Sequence, residues 1–256
     1  MTTHTMNDLS KLLELKTRQM VCPTHGKQQE RSIGGMWFGC PVCTEIKAKD
    51  EAAQAAVAKQ KKFIDDIHIP RLFKDAGFKN YRVTDKKQER VFDRVQQYAV
   101  EILDCKTAKA VNLVLAGTTG VGKTHLACAI LRNAGDKGVR ALYVSSANLI
   151  AEIRASWDYK TRTQFESEII EWYGNVPVLM IDDLGVNDTI KADIWSDLFD
   201  KRYRQNLPTI ITTNLGEAAL AEMIGDRAAD RLLPKTLWAN CIWGSHRKTV
   251  AKMEYV

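Results

Sequence analysis

Residues 111–213 predict an α/β fold organised on a parallel sheet. Short, almost fully apolar segments alternate there with helical ones, and the first of them runs straight into a glycine-rich turn that opens a helix. Ahead of this core, Cys-rich text at 22–43 and Ala/Lys-rich text at 44–68 predict a small metal module and a helical linker. The boundaries read from these shifts are 1–43 for an N-terminal helix and metal module, 44–69 for the linker and 70–256 for the α/β domain.

Composition is that of an ordinary globular protein, 45% hydrophobic and 27% charged over 256 residues. No apolar run approaches a membrane span, and Met1 to Met20 has no secretory core. That stretch reads instead as an amphipathic helix, with Leu9, Leu12, Leu13 and Leu15 among polar residues. A cytoplasmic protein without a membrane partner is expected, so its six cysteines are thiols or metal ligands rather than disulfides. The 17 basic and 17 acidic residues from Val111 onward cancel, and the whole net charge of +6 lies in residues 1–110. That excess suits nucleic acid or an acidic partner surface; a solvated helical face is the plainer alternative.

Cys22-Pro23-Thr24-His25 and Cys40-Pro41-Val42-Cys43 form two short ligand pairs separated by 14 residues. Three thiolates and one imidazole at this spacing make a tetrahedral Zn²⁺ site, a zinc-ribbon-like module, with glycines at 26, 34 and 35 for the turns. A redox pair at Cys40 and Cys43 is the rival, and it leaves Cys22 and His25 without a role. Cys105, Cys128 and Cys241 sit in apolar or helical text and read as packed thiols. Residues 44–68 lack Gly and Pro, so a helix is expected until Pro70 ends it. An irregular link and a helix near 88–104 follow.

The core then reads as strand 111–116, helix 124–134, strand 140–144, helices 147–156 and 164–172, strand 178–181, helix 190–205 and strand 209–213. Gly117-Thr118-Thr119-Gly120-Val121-Gly122-Lys123-Thr124 fits the phosphate-binding pattern G-x-x-x-x-G-K-[ST] without deviation. Its glycines let the backbone N–H groups turn toward phosphate oxygens, and the helix from Lys123 adds its positive end. Lys123 is expected at the β- and γ-phosphates of ATP and Thr124 on Mg²⁺. Val178–Ile181 followed by Asp182 and Asp183 completes the pattern: an apolar strand delivers two carboxylates to its carboxyl end. Asp182 suits the Mg²⁺ shell and Asp183 the base that polarises water.

The phosphate loop, Ile181-Asp182-Asp183-Leu184-Gly185, Thr212-Thr213-Asn214 and Asp226–Leu232 occur in an order that resembles DnaC-type replicative helicase loaders. Phe78–Val83 and the tail from Trp238 through Trp243-Gly244-Ser245-His246-Arg247 are similar to that family as well. The resemblance spans about residues 70–250. It implies an AAA+ P-loop NTPase core that self-associates through its ATP sites, a hexameric DnaB-like helicase as partner, and single-stranded DNA as ligand. Asn214 matches the sensor that positions water, Arg231 the finger that reaches a neighbour's ATP, and Arg247 the second sensor. Arg227, one helical turn before Arg231, is an alternative finger, and an ordinary helix-face charge is the plain reading of either. Asp183 departs from the usual Glu by one methylene, which implies slow hydrolysis.

Transposase-helper ATPases of the IstB type share these core motifs and are the second functional reading; the metal module and the tail favour the loader. A small-molecule kinase is a third, but no lid or acceptor site is visible. For DNA, Arg154, Trp157, Tyr159, Lys160 and Arg162 interleave cations and aromatics, the composition of a sequence-tolerant stacking surface. Trp157 packed in the core is the alternative. Thr189 and Lys191, after the acidic strand, are a second DNA candidate from the resemblance.

Overall fold

A computed structural model describes residues 15–102, 111–185 and 192–246. The chain divides into two compact units, residues 1–59 and 60–256.

The first unit begins with three antiparallel strands, β1 (Lys16–Cys22), β2 (Gly26–Ile33) and β3 (Met36–Trp37). Lys16 to Met20 are therefore strand, and Leu15 before them is exposed and outside any helix, which corrects the helix expected over Met1 to Met20; residues 1–14 of that stretch lie outside the described residues. The physical reason is the register. β1 pairs with β2 from Lys16–Ser32 to Cys22–Gly26, so the sheet, not a leucine stripe, orders this polar segment. Glu30 is buried in it, bonded to Arg18 and accepting from the Gly39 N–H at 3.2 Å, while Arg18 also lies 4.2 Å from the Trp37 ring centre. Helix α1 (Pro41–Asp65) follows, beginning inside the second ligand pair and ending well before Pro70.

In the second unit, α2 (Lys86–Glu101) is capped by Asp85, whose carboxylate accepts from the N–H groups of Lys87 and Gln88. The core then alternates β4 (Asn112–Gly117), α3 (Lys123–Asp136), β5 (Ala141–Ser145), α4 (Ser146–Ser156), α5 (Glu166–Gly174) and β6 (Val178–Leu184). It continues through α6 (Ala192–Arg204), β7 (Thr209–Thr213), α7 (Glu217–Ile224), α8 (Asp226–Leu232) and β8 (Thr236–Cys241). The five core strands are parallel in the order β5-β6-β7-β4-β8. Side chains alternate across this sheet. Leu113 and Leu115 join the core built with α2 and α3, whereas Val114 and Ala116 join the one built with α4 to α8. With both faces covered, the central strands are largely apolar, as the sequence predicts, with their polar residues gathered mainly at the carboxyl ends of β6 and β7 and at the edge strand β8.

One charge lies inside this packing. Arg202 of α6 is almost wholly buried, and among the described residues no carboxylate forms a salt bridge with its guanidinium. It donates instead to Thr209 Oγ1 and to the carbonyls of Tyr173, Val176 and Pro208, at 2.5–2.9 Å. Burial lowers its pKa to about 9. The side chain thereby joins the end of α5, the entry to β6 and the start of β7.

Candidate nucleotide and metal sites

The phosphate loop follows β4 and opens α3, and two of its glycines have no substitute. A Cβ on Gly117 would lie 2.3 Å from the Cys241 carbonyl oxygen of β8. Gly122, at φ +95°, would bring one to 2.8 Å from the Tyr81 ring. The loop is also strapped from both sides. Tyr81 OH and Trp243 Nε1 both donate to the Val121 carbonyl, at 3.2 and 2.8 Å, and the His246 N–H donates to the Gly120 carbonyl at 2.9 Å. Gln88 supports Tyr81 through a 3.2 Å bond to its hydroxyl, and burial pushes that hydroxyl up to about 12.

Lys123 is nearly buried, and its ammonium donates to the carbonyls of Gly117 and Thr118 and to Asn214 Oδ1, at 2.7–2.9 Å. Asn214 sits just past β7 in the adjacent position of the sheet, so sheet order brings together residues 91 apart in sequence. Thr124 Oγ1 donates to Asp182 Oδ1 at 3.0 Å. Thr118 contributes its carbonyl, while Thr119, Gly120, Val121, Gly122, Lys123, Thr124 and Asp183 line one cleft with Tyr81, His125 and Trp243. The cleft holds about 740 Å³, within the range of small-molecule and cofactor sites. A cradle shaped by glycines, one cation, and a hydroxyl beside a carboxylate form a donor set that fits a nucleotide triphosphate with Mg²⁺.

Other predicted residues stand apart from the cleft. Arg231 lies on α8. Its Nε donates to Asp200 Oδ1 at 3.0 Å, its Nη1 to Asp230 Oδ2 at 2.7 Å, and its guanidinium carbon is 5.2 Å from the Tyr203 ring centre. Burial pushes Asp200 up, but the Arg231 bond and the charges of Arg204, Arg231 and Arg227 outweigh it and hold that carboxyl below its usual range. Arg227 is exposed on the same helix. Trp157 is also exposed, with its indole N–H donated to Glu166 Oε2 at 2.5 Å, so the core alternative does not hold. Arg154, Tyr159, Lys160 and Arg162 are exposed around it. Arg247, Thr189, Lys191 and Cys105 lie outside the described residues, while Cys128 and Cys241 are buried thiols. Sequence reasoning missed Tyr81, Gln88 and Trp243 as loop supports, although Tyr81 and Trp243 fall in segments that carried the resemblance.

The second cluster is in the N-terminal unit. Cys22 and His25 flank the turn from β1 to β2, and Cys40 and Cys43 lie at the start of α1. The four ligand atoms lie within 4.8 Å of one another. His25 Nδ1 is 3.6, 3.7 and 3.2 Å from the sulfurs of Cys22, Cys40 and Cys43, and Cys22 Sγ is 3.6 Å from Cys43 Sγ. Bonds of about 2.3 Å to sulfur and 2.0–2.1 Å to nitrogen imply tetrahedron edges of roughly 3.5–3.8 Å. Three of the four separations fall in that range and the His25–Cys43 one lies just below it, so the set fits Zn²⁺ with a small shift of one side chain. The backbone N–H groups of His25 and Thr24 lower the Cys22 thiol to about 6. Its contact with Cys22, together with burial and Cys40, raises Cys43 to about 11. Crowded thiols resist ionising together unless a cation neutralises them. Purified protein is expected to carry about one Zn²⁺ per chain, and chelation to unfold residues 22–43 while ATP binding persists. Metal analysis and circular dichroism check this; zinc-free protein from metal-replete expression counts against the site.

A model of the family of IstB-like ATP-binding proteins matches residues 50–241. The chain is 26% identical to the replicative helicase loader DnaC of Buchnera aphidicola subsp. Schizaphis graminum over 200 residues, 77% of this chain and 79% of that protein. It is 32% identical to an insertion-sequence ATP-binding protein of Pseudomonas aeruginosa over 143 residues, 53% of this chain and 52% of that one. The crystal structure of DnaI superposes with a TM-score of 0.59 at 24% identity, covering 70% of this chain and 95% of that one, and so establishes the same P-loop fold. With three quarters of its length matched by the family model, the chain belongs to the IstB-like family of ATP-binding proteins of the AAA+ type.

Proposed function

We propose that this protein is an ATP-dependent loader that binds a hexameric replicative helicase and places it on single-stranded DNA. The observation that carries the reading is the extent of likeness: the similarity to a helicase loader runs through nearly four fifths of both chains. The likeness to the insertion-sequence protein of Pseudomonas aeruginosa is higher in identity but stops at about half of each, and a longer insertion-sequence match, over 79% of this chain, takes in only 63% of that protein. These proteins support the second reading, a DNA-bound transposase helper.

In the proposed scheme Lys123 holds the β- and γ-phosphates, Thr124 and Asp182 the Mg²⁺ shell, and Asp183 and Asn214 the attacking water. Arg231 serves a neighbouring subunit's ATP and Arg247 its own. Residues 70–256 are the ATPase domain, and the zinc module of 1–43 with the linker of 44–69 is the adaptor. Exposed apolar side chains on that module, Val21, Met36 and Phe38, support a role in protein contact. Among the described residues no helix is long and apolar enough to cross a membrane. Free thiols at Cys22, Cys40, Cys43, Cys128 and Cys241 support a cytoplasmic site of action.

Arg154, Trp157 and Lys160 are proposed to hold DNA, with the exposed indole as the stacking platform. For Trp157→Ala, single-stranded DNA affinity is expected to fall by ~1–3 kcal/mol, the value of one stacked base, with nucleotide affinity retained. Fluorescence anisotropy with a labelled oligonucleotide reads the loss. Equal binding removes Trp157 from the DNA surface.

The deciding experiment is co-purification with a replicative helicase, followed by a helicase-loading assay on protein-coated single strands. A complex that loads helicase only with ATP is the expected result. Failure to bind any replicative helicase, alongside binding to a transposase, moves the protein to the second reading.

A further inference from the structure

Behind the cleft, hydroxyl groups from two strands and a helix converge on the two carboxylate residues of β6. Thr212 of β7 is fully buried beside the apolar Ile210 and Ile211, a placement that costs stability unless its hydroxyl is bonded. That hydroxyl is used twice. Thr212 Oγ1 donates to Asp182 Oδ1 at 2.5 Å and accepts from the Asp183 N–H at 2.9 Å. A threonine hydroxyl has one proton and two lone pairs, so both bonds form together only with the proton on the Asp182 side. One side-chain atom thus fixes the carboxylate of Asp182 and the backbone of Asp183.

The backbone at Asp183 needs fixing. Its φ is +54°, in the left-handed region that non-glycine residues avoid, and the pairing of β6 with β7 slips between Ile181 and Leu184. Hydroxyls hold this irregularity from both sides. Ser146, buried at the start of α4, donates to the Asp183 carbonyl at 2.9 Å, and Thr213 donates to the Leu184 carbonyl at 2.7 Å. Tyr143 completes the set by donating to Asp182 Oδ2 at 2.9 Å. In this conformation Asp183 lines the cleft beside Lys123 and Thr124. A relaxed strand would continue the in–out alternation of β6 and carry that side chain elsewhere.

We propose that Thr212 is a positioning residue for ATP hydrolysis: its single hydroxyl sets Asp182 and the left-handed Asp183 together, with Ser146 as the opposite support. The proposal rests on the reading that this cleft hydrolyses ATP. Thr212→Val keeps the shape and removes the hydroxyl, while Thr212→Ser keeps the hydroxyl. Both are compared with the parent in kcat and KM for ATP with single-stranded DNA, in affinity for a non-hydrolysable ATP analogue, and in hydrogen exchange of the 178–185 peptide. A misplaced reacting group costs up to about a hundredfold, so Thr212→Val is expected to lower kcat about ten- to a hundredfold. Analogue affinity stays within about threefold, exchange at 178–185 quickens because the Asp183 N–H has lost its acceptor, and Thr212→Ser recovers both kcat and exchange. A valine variant with parental kcat and exchange, or a serine variant as impaired as valine, overturns the proposal. If the valine variant loses analogue binding with its fold, Ser146→Ala carries the test, and parental kcat and exchange there overturn it equally. A parent with no turnover above Lys123→Ala refutes the hydrolysis reading instead, and exchange at 178–185 still decides what Thr212 holds.

Discussion

Lys123→Ala is expected to abolish ATP binding at concentrations that saturate the parent, while the thermal midpoint stays close to the parent's. The ammonium is nearly buried, so its attraction to a phosphate is weakly screened. Charge-assisted bonds of this kind exceed neutral ones, and removing one partner of a buried charged pair costs about 2–5 kcal/mol, or roughly thirty- to several-thousandfold in affinity. Stability responds little because no apolar packing is removed. The carbonyls of Gly117 and Thr118 and the Asn214 amide lose a donor, but the desolvation cost of the buried cation disappears with it. Isothermal titration with a slowly hydrolysed analogue measures the first effect and a melting curve the second. Unchanged affinity in a folded variant refutes the phosphate-site assignment.

A second large effect is expected at Arg231. A cation delivered in trans to a phosphoryl-transfer site is worth ~10³–10⁵ in rate. Arg231→Ala should therefore bind ATP as the parent does and lose DNA- or assembly-stimulated hydrolysis by that order. The structure sharpens the expectation. Within one chain Arg231 is held by Asp200 and Asp230 over the Tyr203 ring, so reaching a neighbour's phosphate means exchanging those partners. An isolated chain is accordingly expected to bind ATP and turn it over slowly. Mixing Arg231→Ala with Lys123→Ala isolates the geometry. One partner has an intact pocket and no finger, the other a finger and no pocket, and their correct juxtaposition restores one complete site. Recovery of stimulated turnover in the mixture is the expected outcome. Absence of recovery despite demonstrated co-assembly assigns Arg231 to its own subunit or transfers the role to Arg227 on the same helix.

The core fold was legible because its signals are local and redundant. Thr209–Thr213 has the predicted ends, and the helix after the phosphate loop begins at Lys123, where the loop motif places it, and runs two residues past the predicted end at Ala134. β6 runs on to Leu184, beyond the predicted end at Ile181, because a buried carboxylate bonded by three hydroxyls continues a strand that polarity alone would terminate. β8 was not foreseen: at the edge of the sheet, Thr236–Cys241 mixes Trp and Asn with apolar residues. The N-terminal hairpin was misread for a related reason. Its strands are polar and largely exposed, and little of the apolar burial that marks a strand in sequence is present. In the site, motif spacing gave the phosphate loop, the carboxylate pair and the thiol cluster. It was silent on Tyr143 and Ser146 and on what the Thr212 hydroxyl bonds, because their partners are set by which strands lie side by side.

Strand order also governs when the site can exist during synthesis. β4, which leads into the phosphate loop, is flanked by β7 and β8, and its register partners are Ile210–Thr213 on one side and Thr236–Cys241 on the other. Both arrive some hundred residues later. At about 5–20 residues per second, the ribosome leaves Leu113–Ala116 unpaired for roughly ten seconds. During that interval a fully apolar strand with two open edges invites association with other chains. The loop itself closes last, when the Trp243 indole and the His246 amide reach Val121 and Gly120. Nascent chains stalled before residue 236 should therefore resist capture on immobilised ATP and recruit strand-shielding chaperones, whereas release of the finished chain switches both properties at once.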